Sequence, residues 1–314
     1  MNRLKRKDLL DLQSLDASEI ELLLKQGEAF REIAARPVKK VPALRGKTVI
    51  NLFFEASTRT ATSFHLAAQR LSADVLDIKV SDSSVKKGET LLDTVATFEA
   101  MDLSVLIMRT SHAGSPAMVA KRSKASIVNA GDGMHEHPTQ GLLDLMTLKQ
   151  RCGRLDGITV AIVGDVLHSR VARSDVWGLV KMGAKVRLCG PATLCPANMV
   201  KLWPGAPVTV THDIKEALEG VDAVQMLRIQ LERQARHLFP STREYSRAYC
   251  LTSERLALAK PGAVVMHPGP MNRGLEISSG VADGPQSAIS SQVTNGVAMR
   301  MAVLYLLAGS EEMA

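Results

Sequence analysis

The chain has 314 residues, of which 46% are hydrophobic and 23% charged, and this balance is typical of a globular protein long enough for two domains with separate cores. No apolar run approaches the length of a membrane span, and the basic residues 1–7 are followed by Asp8 and not by the apolar segment of a signal peptide. The net charge of +7 does not indicate a nucleic-acid-binding protein, because Lys and Arg are scattered, aromatic residues make up only 4% and no nucleic-acid-binding motif is present. We therefore expect a cytoplasmic protein whose positive charge favours anionic substrates.

The first predicted strand, residues 49–54, is followed closely by a predicted helix over residues 61–71. The segment before this helix contains Ser57, Thr58, Arg59 and Thr60. The unpaired N–H groups of a first helical turn, the hydroxyl groups and one guanidinium together suit a phosphate. A plain helix start capped by Ser57 is the alternative. Arg59 favours an anion site, because a cation at a helix N-terminus opposes the helix dipole unless an anion lies between them.

Two further cationic segments follow this helix. Residues 81–90 combine several serines with Lys86, Lys87 and Gly88, which suits a loop that delivers charge to a phosphate, although a solvated basic turn has the same composition. Residues 103–108 predict a short buried strand that ends in Arg109. Ligands of α/β sheets are met at the carboxyl ends of strands, so Arg109 is a candidate binding residue; a surface arginine is the alternative.

A glycine-containing turn leads into a predicted helix that begins near Pro138. His137 and Gln140 are three residues apart and share a face at the start of this helix, where one can polarise a carbonyl group and the other can bond an amide. The alternatives are a histidine that only caps the helix and a metal pair formed by His135 and His137. The metal pair is disfavoured, because the histidines lack the i, i+4 spacing of a zinc helix and no cysteine is near.

The rest of the chain alternates strands and helices after a predicted linker over residues 150–157. Strands are predicted at residues 158–163, 185–188, 208–210, 223–226 and 263–266, and helices at 171–182, 214–218, 253–258 and 290–307. This alternation predicts a mostly parallel sheet covered on both faces. The sequence Val163-Gly164-Asp165 lacks the later glycines of a dinucleotide-binding turn, so no dinucleotide is expected. The four scattered cysteines form no C-x-x-C pair and predict reduced structural thiols.

Five motifs, taken in order, resemble the signature of the aspartate/ornithine carbamoyltransferase family, and the resemblance runs from near the N-terminus to the last helix. They are residues 53–60 (FFEASTRT), 86–90 (KKGET), 137–140 (HPTQ), 163–165 (VGD) with Arg170, and 267–270 (HPGP). The aspartate branch is favoured, because the chain lacks the His-Cys-Leu-Pro and Ser-Met-Gly motifs of the ornithine branch. Arg170 and Arg228 instead occupy the positions at which the family binds the two carboxylates of aspartate.

The resemblance implies carbamoyl transfer from carbamoyl phosphate to the α-amino group of L-aspartate, the first committed step of pyrimidine synthesis, without a metal or organic cofactor. The implied carbamoyl phosphate site contains Ser57, Thr58, Arg59, Thr60, Ser83, Lys87, Arg109, His137, Gln140, Pro268 and Gly269. The implied aspartate site contains Lys87, Arg170, Arg228 and Gln230. Catalytic contributions are implied for Arg59, Thr60, Lys87, Arg109 and His137.

The resemblance also implies two doubly wound parallel-sheet α/β domains joined by helices, with the active site in the cleft between them. The carbamoyl phosphate domain would span residues 1–142 and be completed by a C-terminal helix at 292–314, and the aspartate domain would span residues 143–291. Ser83 and Lys87 would enter the site of a neighbouring subunit in a homotrimer. Family members occur as bare trimers or with zinc-bearing regulatory chains or dihydroorotase chains, and the sequence does not select among these assemblies.

Two positions depart from the family pattern. Ala61 replaces a longer polar residue after the Ser-Thr-Arg-Thr motif, which removes a possible support of the phosphate loop. Gly269 replaces the leucine of some members, and we expect a more flexible turn there.

Overall fold

A computed structural model of the chain describes residues 4–79, 89–229 and 239–309. The chain divides into two compact units, Met1–Leu143 with Thr294–Ala314 and Asp144–Val293. Three predicted site residues, Ser83, Lys87 and Gln230, lie outside the described residues. Within the described ranges, no helix has the length and apolar character that crossing a membrane requires.

Strands and helices alternate along almost the whole chain. The strands are β1 (Thr48–Phe53), β2 (Asp74–Lys79), β3 (Leu103–Thr110), β4 (Ser126–Asp132), β5 (Thr159–Val163), β6 (Lys185–Cys189), β7 (Val208–Thr211), β8 (Ala223–Met226) and β9 (Val264–Met266). The helices are α1 (Ala17–Ala34), α2 (Thr58–Arg70), α3 (Leu91–Glu99), α4 (Ser115–Ala120), α5 (Pro138–Cys152), α6 (Arg170–Lys181), α7 (Ile214–Leu218), α8 (Thr242–Tyr249), α9 (Ser253–Leu256), α10 (Ser279–Ala282) and α11 (Ile289–Ala308).

The first unit contains a parallel sheet of four described strands in the order β2-β1-β3-β4. From β1 the chain adds β2 on one side and then returns to add β3 on the other. The strand order therefore reverses between β1 and β3, where Phe53 lies opposite Arg109. Leu52, Leu106 and Ile127 of these strands are fully buried and form part of one core.

The second unit repeats this plan with five described parallel strands in the order β7-β6-β5-β8-β9. The chain moves outward from β5 through β6 to β7 and then returns to place β8 on the other side of β5. The reversal lies between β5 and β8, where Val163 is opposite Met226. Each unit is thus a small doubly wound parallel sheet, which confirms the predicted fold class.

The predicted helices and strands of the second unit are present within a few residues of their predicted bounds. The linker predicted at residues 150–157 begins too early, because α5 continues to Cys152 and ends at the residue before Gly153. In the first unit, α2 begins at Thr58, earlier than the predicted start at residue 61. Phe64, Ala67 and Ala68 lie on one face of this helix and are fully buried.

Candidate active site

In both units the predicted substrate residues follow the two strands between which the strand order reverses. Residues 57–60 follow β1 and Arg109 lies near the end of β3, while Arg170 follows β5 and Arg228 follows β8. Loops at the carboxyl ends of two such strands diverge to opposite faces of the sheet, which leaves a crevice for a ligand. The topology therefore brings each pair of cationic segments to the place where a parallel sheet binds small molecules.

The segment after β1 is arranged as an open helix start. Ser57 occupies the position before the first turn of α2, but no side chain caps this helix. The Ser57 hydroxyl instead donates to Thr60 Oγ1 at 2.9 Å. Thr58 and Arg59 are exposed, whereas Thr60 is buried. The capped helix start that was the alternative is not formed, and the first turn presents its N–H groups and one guanidinium as an anion site would require.

Arg109 is held in place by groups from two neighbouring segments. Its Nη2 donates to Glu55 Oε1 at 2.8 Å, and its Nη1 donates to the Ala130 carbonyl at 3.3 Å. Only 8% of Arg109 is exposed. Because Glu55 lies two residues before Ser57, this ion pair joins the two segments at the reversal point and orients the guanidinium. Arg109 is therefore buried, and the alternative that the sequence allowed, a surface arginine, does not apply.

His137 lies at the start of α5 and is buried, with only 4% exposed. Its carbonyl accepts from the backbone N–H of Gln140 at 2.9 Å. The preceding turn is tied to the N-terminal segment, because the Glu136 carboxylate accepts from the backbone N–H groups of Leu12 and Gln13 at 2.8 and 3.3 Å. The backbone at His137 is therefore held at a helix N-terminus by a turn with little freedom to move.

Asp132 organises the same turn. Its carboxylate accepts from the Gly114 N–H at 2.8 Å, from Asn129 Nδ2 at 2.8 Å and from the Glu136 N–H at 3.1 Å. Burial alone would raise the pKa of Asp132, but the hydrogen bonds from His135, Gly114 and Asn129 outweigh it and lower this pKa. The hydrogen bond to Asp132 raises the pKa of His135 in turn. His135 and Glu136 are thus used within the turn, which argues against the metal pair.

In the second unit, Arg170 is the first residue of α6 and is 5% exposed. Ser169 caps this helix by accepting from the Ala172 N–H at 3.1 Å. Gly164, directly after β5, has a φ of +138°, and a Cβ built there would lie 2.9 Å from Leu227 Cβ. The glycine therefore permits the close approach of the segment that carries Arg228 to the end of β5.

The loop after β9 carries the predicted residues Pro268 and Gly269. Gly269 has a φ of +61°, which favours glycine, and its N–H donates to His267 Nδ1 at 2.8 Å. Since a backbone N–H can only donate, His267 Nδ1 is the acceptor, and Nε2 carries the proton that faces Glu276 Oε1 at 3.2 Å. The expected flexibility at Gly269 is thus limited by a defined turn conformation.

No metal centre or reactive thiol accompanies these residues in the described ranges. No group of three or more His, Cys, Asp or Glu side chains among residues 4–79, 89–229 and 239–309 is arranged to hold a metal ion. All four cysteines are free thiols, and burial raises the pKa of Cys189 and of Cys195 to about 12. These two side chains remain protonated at neutral pH and are poor nucleophiles.

Several residues with a structural part in the site were not assigned a role from the sequence. Glu55 orients Arg109, Asp132 organises the turn before His137, and Glu276 binds the loop that follows β9. Of these three, only Glu55 could have been found from the sequence, because it is a carboxylate inside a cation-rich motif that is predicted to bind an anion. The partners of Asp132 and Glu276 come from distant segments, which spacing along the chain does not reveal.

Comparisons with known proteins identify the family of the chain. Two family models match: the carbamoyl-P binding domain of aspartate/ornithine carbamoyltransferase at residues 7–150, and the Asp/Orn binding domain of the same family at residues 156–307. The aspartate carbamoyltransferase catalytic subunit of Moorella thermoacetica is 58% identical over 98% of this chain and 99% of its own length. That of Geobacter sulfurreducens is 57% identical over 98% of each chain.

Solved structures give the same result for the fold. The aspartate transcarbamoylase of Trypanosoma cruzi in complex with carbamoyl phosphate and aspartate is 32% identical, with a TM-score of 0.87 over 97% of both chains. The ornithine carbamoyltransferase of Pyrococcus furiosus is 28% identical, with a TM-score of 0.89 over 98% of this chain and 99% of its own. The backbone therefore does not separate the two branches, whereas the sequence identities favour the aspartate branch. The chain belongs to the aspartate/ornithine carbamoyltransferase family.

Proposed function

We infer that the chain transfers the carbamoyl group of carbamoyl phosphate to the α-amino group of L-aspartate and releases N-carbamoyl-L-aspartate and phosphate, a step of pyrimidine biosynthesis. The observation that carries this function is the placement of guanidinium groups at the strand-order reversal of each sheet. A phosphate and a dicarboxylate are both anions for which the planar guanidinium is a matched donor. An amino acid with a cationic side chain, such as ornithine, would be repelled by the second pair.

Carbamoyl phosphate binds in the first unit in this proposal. Ser57, Thr58, Arg59 and Thr60 hold the phosphate through the open first turn of α2, which offers backbone N–H groups together with side-chain donors. Gln140 and the backbone at Pro268 and Gly269 hold the carbamoyl NH2 group. The residues of the phosphate set are close in the chain and follow one strand, so the leaving group has a fixed position before the reaction begins.

Thr60, Arg109 and His137 stabilise the reacting carbonyl oxygen. The α-amino nitrogen attacks the carbonyl carbon, a C–N bond forms, and negative charge grows on the oxygen before the C–O bond to phosphate breaks. Donors that are already oriented for this oxygen stabilise the transition state most, because they need not reorganise during the reaction. The burial of Arg109, Thr60 and His137 supports this role, because it limits how far these side chains can reorganise. The amino group gives one proton to the departing phosphate as the product forms.

Aspartate binds in the second unit, where Arg170, Arg228 and Gln230 hold its two carboxylates, and Lys87 of a neighbouring subunit adds a further cation. The helix start at Arg170 adds favourable N–H groups for an anion. A direct test of the function is the formation of carbamoyl aspartate by the purified protein, measured by colorimetry, with ornithine in place of aspartate as the matched control. Product from ornithine and none from aspartate would move the chain to the other branch of the family.

We place Lys87 and Ser83 in the site of a neighbouring subunit, in a cytoplasmic homotrimer that can join regulatory or dihydroorotase-like chains. If this is correct, Arg59→Ala and Lys87→Ala chains are each inactive but complement when mixed. Chance pairing in cyclic trimers gives one quarter of the sites both groups, so activity recovers to about 25% of a wild-type sample refolded in parallel. No recovery in a mixture that contains hybrid trimers by native mass spectrometry would contradict the shared site.

A further inference from the structure

A fully buried carboxylate lies behind the loop of residues 267–272. Glu276 has no exposed surface, and its Oε1 accepts from the Asn272 backbone N–H at 2.6 Å and faces His267 Nε2 at 3.2 Å. The backbone of Glu276 is also fixed, because its carbonyl accepts from the Leu251 N–H at 2.9 Å. Both ends of the loop, His267 and Asn272, are therefore bonded to the Glu276 carboxylate, which is a rigid acceptor.

The amide group of Asn272 joins this loop to a second segment. Its Nδ2 donates to the Ile229 carbonyl at 3.1 Å and to Glu276 Oε2 at 3.2 Å. A carboxamide has two N–H donors, so both are used, one for each acceptor. Glu276 fixes the orientation of the amide, and the amide in turn holds the carbonyl of Ile229.

Ile229 is the residue between Arg228 and Gln230, the two proposed aspartate ligands on this segment. Its side chain is fully buried in a small cluster with Leu194 and Tyr245. The side chain and the carbonyl of Ile229 are thus both held, the first by apolar packing and the second by Asn272. With these two restraints Ile229, the residue directly after Arg228, has little freedom to rotate.

We propose that Asn272 is a positioning residue for aspartate, which acts by holding the Ile229 carbonyl and so fixing the direction in which the Arg228 side chain leaves the backbone. This inference rests on the proposed role of Arg228. A guanidinium that binds a carboxylate with two parallel hydrogen bonds tolerates little misorientation, so a small rotation of its backbone costs affinity. Asn272 also couples this segment to the loop of Pro268 and Gly269 through Glu276 and His267.

The test separates the donor function of Asn272 from its shape. Asn272→Ala removes both donors and should raise the KM for aspartate about fivefold to tenfold, with a smaller change in kcat, as expected when the hydrogen bond that holds the Ile229 carbonyl is lost. Asn272→Asp keeps the shape but turns an acceptor toward the Ile229 carbonyl and Glu276, so it should raise this KM by a larger factor. If Asn272 acted only by packing, Asn272→Asp would raise this KM less than Asn272→Ala, because the carboxylate side chain at position 272 fills the same space as that of asparagine.

The control is Arg273→Ala, which removes the exposed ion pair with Asp283 at 2.6 and 2.8 Å from the neighbouring position of the same loop. It should leave the KM for aspartate unchanged. If Asn272→Asp does not fold, as judged by circular dichroism, Asn272→Leu replaces it. Leucine fills similar space without a donor, so this variant should raise the KM for aspartate at least as much as Asn272→Ala does.

Arg228→Ala is measured in parallel to separate this inference from the proposed function. A raised KM in Arg228→Ala with unchanged values in both Asn272 variants would overturn the positioning role and leave the aspartate site in place. An effect of Asn272→Asp smaller than that of Asn272→Ala would also overturn it. An unchanged KM in Arg228→Ala would overturn the aspartate site itself, and the inference with it.

Discussion

The two units place their cationic side chains at equivalent positions of their sheets, but the groups that support these side chains differ. In the first unit a carboxylate, Glu55, is paired directly with Arg109, and a rigid turn holds His137. In the second unit the neutral amide of Asn272 holds the carbonyl of Ile229, the residue after Arg228. In the proposed function the same strand reversal thus serves two purposes: it places an oriented charge for a reacting oxygen in one unit and a guanidinium for a substrate carboxylate in the other.

This comparison predicts that substitutions in the two units affect different kinetic constants. The largest effect is expected for Arg109→Ala and His137→Ala, each of which should lower kcat about 100- to 1,000-fold, because one lost oxyanion donor typically costs that much. The KM for aspartate should change far less. Steady-state rates with either substrate varied measure both constants.

Arg122→Ala is the matched control, since Arg122 is an exposed arginine of the same unit. Its kcat should equal that of the wild-type protein. Turnover near the wild-type value in the Arg109 or the His137 variant would contradict a role of that residue at the reacting oxygen. It would also weaken the contrast between the units.

A smaller effect, on the other constant, is expected in the second unit. Arg228→Ala should raise the KM for aspartate about 10- to 100-fold, because a hydrogen bond to a charged group contributes roughly 1.5–3 kcal/mol. The affinity for carbamoyl phosphate, measured by calorimetry without aspartate, should remain nearly unchanged. Arg154→Ala, at an exposed arginine of the same unit, provides the control. Equal losses of affinity for both substrates would show that the units do not divide recognition in this way.

The parts of the fold that the sequence predicts are those with long apolar periodicity. The buried face of α2 and the strands β5, β6 and β8 have apolar residues at the spacing that their secondary structure requires. Some short or polar elements, among them α8 and α10, were not predicted individually. Only Tyr245 is buried in α8, and α10 has four residues, so neither has enough apolar positions to establish a period.

The candidate site was predicted to the extent that its residues lie in contiguous motifs. Arg59, Arg109 and His137 were identified from neighbours in the chain and from the resemblance to the family. Glu276 is hydrogen-bonded to Leu251, 25 residues away along the chain, and Asn272 to Ile229, 43 residues away. Such contacts depend on which strands are adjacent, and this information is absent from local periodicity.

The smallest expected effect concerns the turn before His137, in which the first unit contains a hydrogen bond between two titratable side chains, His135 and Asp132. His135 Nδ1 lies 3.1 Å from Asp132 Oδ2, and the hydrogen bond to Asp132 raises the pKa of His135 in the folded protein. A raised folded-state pKa means that this contribution to stability is complete below the unfolded pKa of about 6.5 and is lost as the pH rises through the folded value.

His135→Asn should therefore reduce the free energy of unfolding more at pH 6 than at pH 8.5. The difference should stay below about 1 kcal/mol, because the His135 side chain is 39% exposed and solvent screens the pair. Urea denaturation at the two pH values measures it, with Met134→Ala, an exposed position of the same turn, as the control whose effect should not depend on pH. An equal loss at both pH values would show that the turn is held by its neutral hydrogen bonds, as the Ile229 segment of the second unit is by Asn272.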